Sequence, residues 1–192
     1  MSISKWIYHF RGILVSLPLI FAVACFYGET ENDILTWPLG GMIFFFGLLL
    51  RTWARRHCAY LQKGYKHLAT TGPYSFVRNP LYIGNTLMCL GATILSELLW
   101  LVPFTLFYCA CLYSFVVRHE EARLLVRYGE SYRRYMSEIP RWFPDVVSFK
   151  SIRLIYEYLR TSLVPEASCM LILLPYIFKE LLEPVLEPWF RH

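Results

Sequence analysis

Charge is scarce in this sequence: Asp, Glu, Lys and Arg make up 17% of its 192 residues, against roughly 25% in soluble globular domains. Apolar residues reach 56%. That balance excludes a disordered chain and a nucleic-acid arm, and it is unlike a soluble enzyme. Histidine is sparse too: His9, His57, His67, His119 and His192 form no H-E-x-x-H helix and no H-x-x-H-H cluster for a di-iron centre. The cysteines (Cys25, Cys58, Cys89, Cys109, Cys111 and Cys169) include no C-x-x-C pair. They support neither a zinc site nor a disulfide framework, and are expected to act as small apolar residues. No internal repeat of the kind common in transporters is found.

What is present comes in blocks. Apolar stretches cover Ile13 to Tyr27, Ile34 to Leu50, Leu81 to about Ser96, Leu98 to Val117 and Leu163 to Phe178, with polar residues gathered between them. This is the pattern of a polytopic membrane protein. The expected fold is all-α, a transmembrane helical bundle of four spans plus a fifth C-terminal membrane helix broken by Pro165 and Pro175. Several stretches fall short of the roughly 20 residues of a spanning helix, and Tyr, Trp and Arg at their ends extend them. The whole chain, 1–192, reads as one membrane domain: two helices in 1–50, a core in 51–144, and an extension in 145–192. Ala22-Val23-Ala24-Cys25 resembles a lipoprotein cleavage site. Further spans follow it, so the first stretch is expected to remain as a span.

Basic residues set the expected orientation. Lys5 and Arg11 precede the first span, and Arg51, Arg55, Arg56, Lys63, Lys66 and Arg78 follow the second. A further basic block runs from Arg118 to Arg160, whereas the segments Gly28 to Asp33 and Ser96-Glu97 hold no Lys or Arg. The positive-inside rule then places the N-terminus and both large basic blocks in the cytoplasm.

Only Ser96 and Glu97 separate the third and fourth stretches, so they are expected to form a helical hairpin over 81–117. Sixteen and twenty residues rise about 24 and 30 Å at 1.5 Å each. The start of one helix therefore meets the end of the other at one membrane face. Tyr74 to Tyr82 is brought near Arg118-His119-Glu120-Glu121, with Arg78 aimed toward Glu120. A guanidinium, the Asn79 amide and two carboxylates share that mouth. Arg78 could take the carboxylate of a zwitterionic cofactor, and Glu120 or Glu121 its ammonium or a ribose diol. A salt bridge pinning the two helices, or solvated charge, explains the same residues. Pro80 suits a first helical turn. Gly84 and Gly91 lie on one helix face, which permits close packing or room for a ligand. After Glu121, Leu124, Leu125, Tyr128, Tyr132, Tyr135 and Met136 recur at helical spacing. They predict a cytoplasmic amphipathic helix, perturbed at Gly129, that lies on headgroups or lids the mouth.

Gly72-Pro73-Tyr74, Val77-Arg78-Asn79-Pro80-Leu81-Tyr82-Ile83-Gly84, Glu120-Glu121, Tyr128-Gly129, Tyr132, Tyr135 and Pro140-Arg141 fall in one order and spacing. The combination resembles the membrane methyltransferases related to isoprenylcysteine carboxyl methyltransferase and phospholipid N-methyltransferase, over about half of the chain. The resemblance implies an S-adenosylmethionine site built from membrane helices, and no G-x-G-x-x-G occurs here. Carried over, the family's cofactor-framing residues become Arg78, Asn79, Pro80, Tyr82, Glu120 and Glu121. His67 and Leu68 stand where relatives line the adenine pocket, mostly through backbone. Asn79 departs from the family's usual His and cannot titrate near pH 7. The implied reaction moves a methyl group to a lipophilic small-molecule or lipid acceptor that enters from the bilayer, with no nucleic acid and no metal. Two other classes fit parts of the pattern. A sterol-reductase-like enzyme would need cations for the phosphates of NADPH, which Arg51, Arg55, Arg56, Lys63 and Lys66 could supply. A non-enzymatic membrane protein would explain Asn79 and the unmatched tail.

Overall fold

The computed structural model describes residues 3–25, 28, 30, 32–64, 67–144, 171–179 and 182. These form helices α1 (Ile3–Ala24), α2 (Asp33–Gly64), α3 (Pro80–Leu95), α4 (Leu101–Tyr128) and α5 (Glu130–Glu138). A 3-10 turn at Gly72–Ser75 precedes α3, and another, Leu171–Leu173, leads into helical backbone at 174–179. No strand occurs among the described residues, so the all-α expectation holds for them.

Among the described residues three helices, α1, α2 and α4, are long and apolar enough to cross a membrane. The expected fourth span differs: α3 has 16 residues, about 24 Å at 1.5 Å per residue and short of the hydrocarbon core of roughly 30 Å. Pro80 sets its start, and a turn at 96–100 ends it. Of the expected fifth membrane helix, residues 163–170 lie outside the described residues. The part at 171–179 packs on α1 and the hairpin turn. Tyr176 donates to the Leu19 carbonyl (3.3 Å), and buried Lys179 to the Ser96 carbonyl (3.2 Å).

Glycine spacing fixes how α2 meets α3. A Cβ on Gly91 would stand 2.5 Å from the Phe44 nitrogen and 2.7 Å from the Gly40 carbonyl oxygen. One on Gly84 would stand 2.7 Å from the Arg51 nitrogen and 2.8 Å from the Gly47 carbonyl oxygen. Glycines seven apart on each helix thus face each other in antiparallel register and bring the two backbones together. Packing, not ligand space, explains Gly84 and Gly91. Inside this contact Arg51 donates to the Asn85 amide oxygen.

The α3–α4 hairpin forms as expected. Thr93 and Thr105 hydroxyls meet at 3.2 Å, and the Tyr82 and Tyr113 ring centroids lie 4.9 Å apart. On the other side α4 packs antiparallel to α1. Pro18 inside α1 lacks the N–H that would bond the Leu14 carbonyl. Tyr108 of α4 donates to that carbonyl instead, at 2.7 Å, so the Leu14 carbonyl is not left bare in an apolar setting. Tyr8 near the start of α1 lies against His119 toward the end of α4, ring to ring at 5.1 Å. The start of α1, the end of α4 and the loop before α3 therefore share one end of the bundle.

The helix expected to begin after Glu121 is instead two elements. α4 continues through Glu120-Glu121 to Tyr128 without a break. Gly129 then adopts φ +53°, a left-handed conformation that ends α4, and α5 starts anew. The apolar stripe survives in α5, which buries Tyr132 and Tyr135.

Candidate functional site

At the basic end of the bundle a polar pocket of about 370 Å³ opens between the end of α2, the segment 67–82, α4 and α5. Arg78, Asn79, Tyr82, Glu120, Glu121, His67 and Leu68 all line it. Spacing in the sequence brought the first five to one mouth, and the fold places them there. Pro80 is buried as the first residue of α3 and does not line the pocket. Its ring presets the helical φ at a position whose N–H would have no partner.

The loop before α3 is held from two directions. Gly72 has φ +61°, and a Cβ there would come within 2.8 Å of the His57 ring, so only glycine passes close beneath that side chain. Tyr135 of α5 donates to the Tyr74 carbonyl at 2.7 Å. The Arg78 N–H donates to the Pro140 carbonyl at 2.9 Å, and the Asn79 amide to the Arg141 carbonyl at 3.3 Å. Asn79 thus uses its side chain to tie the loop to the segment after α5.

The two carboxylates part company. Glu121 is buried and accepts two bonds from Arg141, at 2.6 Å from Nη2 and 3.2 Å from Nε. Arg78 Nη1 approaches the same carboxylate at 3.5 Å. Arg78 therefore meets Glu121, not Glu120 as the spacing suggested. Consecutive residues on a helix point about 100° apart, and the packing of α4 turns Glu121 toward the loop. The salt-bridge reading is correct for Glu121. Glu120 accepts a 2.7 Å bond from the Tyr82 hydroxyl and pairs with no cation among the described residues.

Arg78 is 12% exposed in its side chain, and its Nε has no partner among the described residues. A buried guanidinium N–H without an acceptor is costly unless something completes it. A carboxylate suits that edge, and an ammonium or diol suits Glu120. The donor set in the pocket therefore fits a zwitterionic ligand. Burial pushes the Tyr74 and Tyr135 hydroxyls up from the ordinary phenol range. Tyr132 is pushed up to about 12 by burial and then by the Glu121 carboxylate, with Arg78 opposing. All three remain protonated donors near neutral pH.

Sequence reasoning passed over Arg141 as a site residue. Its signal was the Pro140-Arg141 pair that closes the family-like pattern. It also missed a second, apolar cavity of about 620 Å³, walled by α2, α3, α4 and Trp142 to Pro144. The two cavities lie back to back. Along the loop, Pro73 and Val77 face the apolar one while Tyr74 and Arg78 face the polar one. Between the helices, Tyr113 lines the apolar cavity and Tyr82 the polar one, so this ring pair is a shared wall.

Residues 35–131 match the family model described as phospholipid methyltransferase. The chain is 30% identical over 147 residues to the nickel-cobalt-cadmium resistance protein NccN of Alcaligenes xylosoxydans xylosoxydans, covering 74% of this chain and 68% of the relative. It is 34% identical over 119 residues to the cobalt-zinc-cadmium resistance protein CzcN of Cupriavidus metallidurans, covering 60% of this chain and 55% of the relative. No solved structure matches.

Proposed function

This chain belongs to the phospholipid methyltransferase family, and from that premise we propose that it is an integral membrane methyltransferase that uses S-adenosylmethionine to methylate a lipophilic acceptor. The observation that carries the reading is the pair of back-to-back cavities, one polar and one apolar, divided by Tyr82 and Tyr113. S-adenosylmethionine would supply a methyl group activated on a sulfonium. Arg78 would hold its carboxylate with the free guanidinium edge, and Glu120 its ammonium. His67 and Leu68 would line the far part of the polar pocket. Glu121 and Arg141 position Arg78 and the loop rather than touch the ligand. The apolar cavity would take the acceptor's hydrocarbon, and the wall between the two sets the alignment on which an in-line transfer depends.

Among the described residues the apolar lining holds no carboxylate, amine or imidazole. An acceptor that arrives deprotonated, such as a carboxylate, needs no base there, whereas an ammonium would. The reading therefore favours O-methylation. The shared basic end and the positive-inside rule support an orientation in which the N-terminus and the polar pocket face the cytoplasm. The NADPH alternative draws less support. Of the cations it would need, Arg55 lines the polar pocket, while Arg51 turns into the α2–α3 contact. The side chain of Lys63 and the whole of Lys66 lie outside the described residues. The relatives' names suggest metal resistance as the setting, and growth of a strain lacking this chain on cobalt, zinc or cadmium tests that link.

The central test is calorimetric titration of the purified protein with S-adenosylmethionine and with NADPH, followed by incubation of membranes with a methyl-labelled donor. Saturable binding of the first alone, and a labelled lipid that loses its label as methanol in mild base, are expected. Binding of NADPH alone would sink the methyltransferase reading, and a base-stable label would replace the ester with an amine product.

A further inference from the structure

A third cleft, of about 660 Å³, lies between the start of α1 and the last turns of α4, lined by Lys5, Tyr8, His9, Phe10, His119 and Arg123. The proposed methyl transfer makes no use of it. Among the described residues no carboxylate lines it, so its charge is of one sign. Two arginines at this end, Arg123 in the lining and Arg11 beside it, are held by one aromatic face. Arg123 Cζ stands 5.5 Å from the Tyr8 ring centroid and Arg11 Cζ 4.3 Å from it. Arg11 also donates to the Tyr8 carbonyl at 2.7 Å, and the His119 ring leans on Tyr8 from α4. Lys5 and Arg123 remain exposed at the cleft. Cations gathered without a counter-charge repel one another, and an anion between them relieves that repulsion. A guanidinium and an ammonium converging on one cleft match a phosphate oxygen set.

The position selects the source of the phosphate. Lys5 opens the first membrane-length apolar segment, and α4 closes another at Tyr128. Exposed Trp6, 5.0 Å from Phe10 ring to ring, marks a headgroup level, where aromatic residues and basic side chains collect. The floor of Tyr8 and Phe10 offers apolar contact beneath the charge. We propose that this cleft binds the phosphate of an anionic lipid headgroup, with Lys5 and Arg123 supplying the charge and Tyr8 holding Arg123 in register. The site stands apart from the methyl-transfer reading and does not depend on it.

The test uses the full chain in neutral detergent, titrated by calorimetry with dioctanoyl phosphatidylglycerol, dioctanoyl phosphatidylcholine and inorganic phosphate. Saturable binding of the phosphatidylglycerol, at least about tenfold tighter than the phosphatidylcholine, is expected. Lys5→Gln combined with Arg123→Gln should weaken it roughly tenfold or more. Arg134→Gln, an exposed arginine on α5, should bind as wild type. Should the double variant not fold, Arg123→Gln alone carries the comparison, with a roughly threefold or greater loss. Wild-type affinity in the Arg123 variants, or an equal loss in Arg134→Gln, would overturn the site. Inorganic phosphate binding as tightly as the lipid would overturn the lipid assignment in favour of a soluble anion.

Discussion

Glu120 and Glu121 are adjacent and chemically identical, yet their replacement by Gln should have opposite consequences. Glu121 is 9% exposed in its side chain and sits between Arg141, at 2.6 Å, and Arg78, at 3.5 Å. Gln at 121 keeps the size but leaves two guanidiniums without their shared anion. Removing one member of a buried ion pair costs roughly 3–5 kcal/mol. Because 36% of the Arg141 side chain meets solvent, the expected cost is at the low end, about 3 kcal/mol. Glu121 links α4 to the loop before α3 and to the segment after α5, so this loss should appear as a lower melting midpoint in detergent. Gln at 120 still accepts the Tyr82 hydroxyl, and stability should stay within about 0.5 kcal/mol of wild type. Its lost charge should instead weaken S-adenosylmethionine by about 1.5–3 kcal/mol, roughly ten- to a hundredfold. Fluorescence-monitored melting and calorimetry on the two variants give both readouts. Combining Glu121→Gln with Arg141→Gln should cost less than the sum of the single changes, because the partners leave together. A wild-type melting midpoint in Glu121→Gln, or wild-type affinity in Glu120→Gln, would refute the division of roles.

Arg78→Lys should lower S-adenosylmethionine affinity, since an ammonium cannot approach Glu121 and present a second planar edge at once; Asn79→His, which can still donate to the Arg141 carbonyl, should preserve it. Wild-type affinity in the first with loss in the second, by calorimetry, would place the site elsewhere. Gly91→Ala should destabilise by roughly 1–3 kcal/mol, because its Cβ meets backbone rather than a movable side chain, while Gly12→Ala, with nothing within 4 Å of its Cβ, should not. Equal melting midpoints for the two would deny the glycine contact. Single cysteines at Asp33 and Arg134, in an otherwise cysteine-free chain, should be labelled from opposite sides of the membrane; labelling of both from one side would overturn the topology.

The helices were legible because their cause is local. Apolar runs broken by charge predict membrane helices whatever they pack against, and Pro80 marks where α3 starts in the sequence as in the structure. The mouth was legible for a related reason: a short turn between two helices of known rise leaves their far ends one place to be. Two limits were just as physical. α4 runs to Tyr128 rather than stopping near Val117, because polar residues such as Arg118 to Glu121 continue a helix as readily as apolar ones once it leaves the bilayer. The third stretch looked like a span by its composition, but at 16 residues α3 is shorter than its neighbours.

By itself the sequence determined the class of structure, the glycine face of α3, and the group of residues at the basic end, since each rests on spacing along one element. The tertiary structure alone decided the pairings. That Gly84 and Gly91 meet Gly47 and Gly40, that Glu121 rather than Glu120 takes Arg78, and that Arg141 closes the clamp from 20 residues downstream all depend on how helices rotate about their own axes. A turn of about 100° per residue separates one carboxylate from the next, and that rotation is fixed by packing against neighbours the local sequence does not contain.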